Sequence, residues 1–266
     1  MRRFLITSLV GGALVFATQA STAAITFNQN VTPDVIFGSG NANGAFTVDL
    51  SNNVELGLRG KLRHNASGLP ENTFNSNGDG TYSFNAGVAP TQSFPTAEWS
   101  FEWSINTNQD GLGSLALDDL TYVLGIDTDA SLATTFLSFD PINVSVADHA
   151  IGDNSTGNGA GDVFVDYSTT PPIPDLTGYA ASIGMNNVAQ NSWKPHWFNS
   201  SFDPTVDGTY DFYLTASDRN SGTELARTEM QIIVGAGGAA VPEPGTIALL
   251  GLGLAGLTAA RRRRRA

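Results

Sequence analysis

Glu98 and Glu102 stand four apart in "EWSFEWSIN", and two carboxylates are the groups that hydrolysis of a glycosidic bond requires. On an extended chain, residues four apart are separated by roughly 13 Å, too far for either stereochemical course of that reaction. The pair therefore reads as the solvated face of a strand whose other face carries Trp99, Phe101, Trp103 and Ile105. "NTNQDGLGSLAL" supplies oxygen ligands at Asn106, Asn108 and Asp110 and a glycine at Gly111, the early half of a calcium loop. Its twelfth position is Leu117 where a bidentate glutamate is needed, so the stretch reads as a turn between strands, with a weak calcium site left open. His64, His149 and His196 have no metal-ligand spacing. "WKPHWF" offers Trp193 and Trp197 as aromatic planes for stacking on a sugar, against the alternative of a core loop. No nucleophile elbow, phosphate loop or zinc-helix motif occurs in the central part of the chain.

The elements that position these residues read as strands. Period-two alternation recurs in "DLTYVLGID", and further β segments are expected at residues 45–50, 54–62, 81–86, 162–167, 209–216 and 225–234. Gly, Asn, Asp, Ser and Pro cluster between them, as turns require, and no long helical period appears. The expected fold is all-β: an antiparallel sandwich, immunoglobulin-like or jelly-roll-like, flanked by an N-terminal signal helix and a C-terminal membrane helix. "DGTYSF" at Asp79 and "DGTYDF" at Asp207 share a turn-to-strand pattern. In the second, Tyr210 is expected as a corner tyrosine, with Phe212 pointing into the core. The last two strands should pair as a hairpin across "RNSGT", with Ile232 and Val234 in the core.

The termini differ in kind from this body. Residues 1–24 run from Arg2 and Arg3 through an apolar stretch to small residues at Ala23 and Ala24, the layout of a secretory signal peptide and a substrate for signal peptidase. The chain has no cysteine, which removes disulfides and thiolate chemistry. Seven of the 13 basic residues lie in the terminal segments and 24 of the 25 acidic ones between them, which leaves the body at about −18. A body so acidic repels nucleic acid and anionic lipid.

At the other end, Pro242, Glu243 and Pro244 precede an apolar run over residues 245–260, and then come Arg261, Arg262, Arg263, Arg264 and Arg265. Gly251, Gly253 and Gly256 match a dinucleotide-binding glycine pattern, but the chain ends within ten residues, where a helix and an acidic residue should follow. In order and position the segment resembles the PEP-CTERM sorting segment of Gram-negative bacteria. That resemblance implies an exosortase, a membrane transpeptidase-like protease that cuts near the Pro-Glu-Pro and passes the body to the cell surface or exopolysaccharide matrix. Physical chemistry agrees: sixteen helical residues span about 24 Å, short of the hydrocarbon core, and need the arginines, which remain cytoplasmic and halt translocation. The segment thus reads as a transient anchor in the inner membrane. Residues 235–240, "GAGGAA", read as a flexible linker.

The expected organisation is a signal peptide (1–24), an exported sandwich (25–234), a linker (235–240) and a sorting segment (241–266). The expected function is that of a non-enzymatic surface or matrix protein without a cofactor, calcium being the one candidate ion. A secreted carbohydrate-binding module is the alternative, followed by a secreted hydrolase.

Overall fold

The computed structural model describes residues 24–143 and 148–239. The signal peptide and the segment from residue 240 onward lie outside the described residues. Thirteen strands and one short α-helix make up the described fold. β1 (Thr26–Gln29), β2 (Phe46–Ser51), β3 (Val54–Leu62), β5 (Trp99–Asn106), β11 (Val188–Trp193) and β8 (Ala150–Gly152) form one sheet, in the order β1-β2-β3-β5-β11-β8. A second sheet has the order β4-β13-β12-β6-β7, from β4 (Thr81–Phe84), β13 (Glu224–Val234), β12 (Gly208–Asp218), β6 (Leu120–Asp127) and β7 (Phe136–Phe139). A two-stranded ribbon, β9 (Val165–Asp166) with β10 (Ile173–Pro174), leads into α1 (Leu176–Ile183). Asp175 caps that helix by accepting from the Gly178 amide at 2.9 Å.

The pairing is antiparallel except between β4 and β13, where Thr81 to Phe84 run parallel to Gln231 to Val234. The expected final hairpin is present, with Gly208 opposite Val234 and Tyr210 opposite Ile232. Asp218 fixes its turn by accepting from the amides of Asn220 and Ser221 at 3.1 and 2.7 Å. The β2–β3 turn holds Asn52 and Asn53 at φ of 53° and 63°, the left-handed pair that a two-residue hairpin loop needs.

Between the sheets lies one aromatic core. Phe101 of β5 meets Phe212 of β12 with ring centroids 4.8 Å apart, and Trp99 meets Tyr210 at 5.8 Å. The inward alternation of "EWSFEWSIN" is therefore observed as expected: Trp99, Phe101, Trp103 and Ile105 are all buried. Tyr210 contributes its ring, packed on Trp99 and Phe202. The tyrosine that ties the two sheets together belongs to the other copy of the repeat. The Tyr82 hydroxyl donates to the Ala45 carbonyl at 2.7 Å and lies 3.0 Å from the Thr47 hydroxyl.

The opposite face of β5 is not solvated, which corrects the sequence expectation. Ser100, Glu102, Ser104 and Asn106 are buried as completely as the tryptophans. The segment between β1 and β2 crosses this face as a covering loop, and its irregular backbone must find partners there because water is excluded. The polar side chains of the sheet supply them. Gln190 accepts from the Ile36 amide at 2.8 Å and donates to the Asp34 carbonyl at 2.8 Å, while Asn106 donates to the Thr32 carbonyl at 3.0 Å.

Candidate functional site

Beneath the covering loop, Arg59 of β3 and Glu102 of β5 stand opposite each other in the ladder and form an ion pair at 2.6 Å, both fully buried. Every guanidinium donor of Arg59 is used. Nε bonds Glu102, Nη1 bonds the carbonyls of Ala42 and Gly44 at 2.9 and 2.6 Å, and Nη2 bonds Glu102 and the Asn41 side chain at 3.2 Å. The rings of Phe46 and Phe74 lie 4.1 and 4.0 Å from its guanidinium carbon. Lys61 reaches Asn41 and stands 3.8 Å from Glu102. These charges clamp the loop to the sheet; Arg59 and Glu102 are fully buried, while Asn41 and Lys61 reach the wall of a small surface pocket. Glu55, on the same face, accepts from the Thr32 amide at 2.7 Å. Burial pushes its carboxyl up to about 7, against the pull of the two bonds from Thr32.

The sequence-derived calcium ligands come together, but their oxygens face N–H donors. Asn106 Oδ1 accepts from the Asn108 amide and the Asn187 side chain at 3.0 and 2.7 Å. Asn108 Oδ1 accepts from Asn53 and the Gly113 amide at 3.0 and 2.8 Å, and Asp110 Oδ1 from Asn53 and the Leu112 amide at 2.8 and 2.9 Å. The loop is an amide lattice that closes one end of the sandwich. Among the described residues no group of three or more His, Asp or Glu side chains could hold a metal ion.

Trp193 and Trp197 are separated by burial. Trp193 is 5% exposed and packs on Phe198 and Trp103 at 5.0 and 5.3 Å, whereas Trp197 is 54% exposed beside Lys194. They do not form a shared platform. Burial, then the charges of Lys194 and His64, hold His196 below its ordinary value, which places His196 and His64 near each other. His149 sits against Trp103, with Nε2 on the Pro141 carbonyl, and His64 lies against the Gly68 carbonyl.

A groove of about 540 Å³ on the outer face of the second sheet was missed by sequence reasoning. Phe27 lies over Gly80 at one side of it, and Phe136 packs edge-on against Tyr213 at 5.0 Å on the other. Thr81, Gln231 and Asp211 follow one another across the strands between, with Gln231 donating to Asp211 at 2.9 Å. The partial signal was the alternation of polar residues along "TEMQ", which shows an outer face but not its neighbours.

The expected linker is docked on the body up to the last described residue. The Gly235 amide donates to the Phe84 carbonyl at 2.9 Å, the Gly238 amide to Thr209 Oγ1 at 2.8 Å, and the Leu132 amide to the Ala239 carbonyl at 3.1 Å. Gly235 has φ of 60°, and a Cβ at Gly238 would fall 2.6 Å from the Ala130 carbonyl oxygen, so both positions need glycine. Among the described residues no helix is long and apolar enough to cross a membrane.

No curated protein and no solved structure matches the chain. One family does match: the PEP-CTERM protein-sorting motif covers residues 240–265. The chain carries the sorting motif of an exported protein that an exosortase directs to the envelope of Gram-negative bacteria.

Proposed function

We propose that the protein is a non-enzymatic component of the cell surface or extracellular matrix, held briefly in the inner membrane by its tail and released by exosortase processing. The observation that carries this reading is the coincidence of the sorting motif at residues 240–265 with a body whose buried carboxylates serve its own fold. Glu102 holds Arg59, Glu55 holds Thr32, and Asp49 accepts from the Arg227 amide at 2.8 Å. Fractionation of host cells with and without the exosortase tests it. The body should move from the membrane to the surface or matrix only when the enzyme is present. Equal surface yield in both hosts would defeat the proposal.

Carbohydrate binding is a second reading, favoured by the groove of the second sheet rather than by Trp193. Two aromatic rings bordering a row of hydrogen-bonding side chains are suited to the apolar faces and hydroxyl edges of a saccharide. Titration of the body with soluble polysaccharides should give binding that Phe27→Ala and Phe136→Ala each weaken and Trp197→Ala leaves alone. Binding lost with Trp197→Ala alone would point to the other surface.

A further inference from the structure

The docked segment sets how close the folded body stands to the site of processing. Ala239 is tied to the loop after β6, and only two residues separate it from Pro242. That stretch of chain spans at most about 11 Å. Six steps of chain lead from Ala239 to the start of the apolar run at Gly245, which spans at most about 21 Å. A protease acts on backbone that is extended and free of other hydrogen bonds. With residues 235–239 seated, the sandwich itself would stand at the mouth of any cleft that receives Pro242 to Pro244.

We propose that residues 235–239 are a strap that must peel from the body for the tail to be cut, so that its bonds to Phe84, Thr209 and Leu132 hold the sorting motif back from processing until they open. This rests on the reading of the tail as an exosortase substrate. The strap is built to detach: three separate hydrogen bonds, to Phe84, Thr209 and Leu132, hold it to the body, both of its alanine side chains are exposed, and three of its five residues are glycine. Short segments held in this way open locally without global unfolding. Peeled back to Val234, the strap adds five residues of free chain, roughly 17 Å. Undocking thus more than doubles the reach available to the enzyme. The cost of ordering and release falls on residues 235–239 alone, and the β12–β13 hairpin that precedes them stays intact.

The cysteine-free chain makes the test clean. Leu132 and Ala239 are hydrogen-bonded neighbours with an expected Cα separation of about 5–6 Å, within disulfide reach. The full-length variant Leu132→Cys/Ala239→Cys, oxidised with diamide in membranes that contain the exosortase, should be cut at least tenfold more slowly than wild type. Reduction should restore the rate. A six-residue Gly-Ser insert after Ala240 should restore it even with the disulfide closed. Cutting of the oxidised variant at the wild-type rate would overturn the strap, as would failure of the disulfide to form or of the insert to rescue. Wild-type precursor left uncut would instead remove the exosortase reading itself, and the strap with it.

Discussion

Arg59 is fully buried, and its five donors are matched by one carboxylate, one side-chain amide and two carbonyls of the covering loop. Removing Glu102 as Glu102→Ala should therefore cost about 3–5 kcal/mol in a urea titration, because it strands a buried cation. Replacing both partners, as Arg59→Met/Glu102→Leu, should not recover that loss here, since the carbonyls of Ala42 and Gly44 would lose their donor. Full recovery would mean that the loop does not depend on Arg59. Glu55 makes a separate prediction. Its carboxyl is raised to about 7 in the folded protein, from an ordinary value of 4.5, so between those values the folded state binds the extra proton. Stability from this group is greatest below about 4.5 and declines as pH rises to about 7, by on the order of 3 kcal/mol. Glu55→Gln should remove that decline, measured as the difference between the two proteins' urea midpoints across the window. Parallel curves would show that Glu55 is not the source.

At the scale of elements, Tyr82 ties β4 to the first sheet, and Tyr82→Phe should cost about 1–2 kcal/mol by stranding the Ala45 carbonyl and the Thr47 hydroxyl. A change within about 0.3 kcal/mol would show that packing alone holds β4 to the first sheet. Strands with one apolar face were readable in advance: β3, β5, β6 and the β12–β13 hairpin all lie where alternation put them. Alternation reports one buried face and says nothing about what covers the other. For β5 the cover comes from residues about 60 positions earlier in the chain, through Asn41 and Glu102, and for β11 from about 150 positions earlier, through Ile36 and Gln190. No local pattern carries that information. The short strands β1, β7 and β8 and the helix α1 were not anticipated either. At three to eight residues they offer too few repeats for a period to register. The partners of the candidate calcium ligands were hidden for a related reason. Asn106, Asn108 and Asp110 have the right oxygens, but Asn53 and Asn187, which occupy them, come from distant turns.

Across the whole molecule, the body and the tail were legible to different degrees. A three-part tail is linear information, fully contained in the order of Pro242 to Pro244, an apolar run and five arginines, and the family match falls on those residues. The role of the body depends on surfaces assembled from several strands, such as the groove bordered by Phe27 and Phe136, and no single stretch announces it. The central claim is that the tail is a temporary anchor. Intact mass of the protein recovered from the cell surface of an exosortase-bearing host tests this most directly. The account predicts a chain that begins near Ala24 or Ile25 and ends in the neighbourhood of Pro242 to Pro244, with Glu243→Gln leaving longer, uncut precursor in the inner membrane. Surface protein that still carries Arg261 to Arg265 would contradict it.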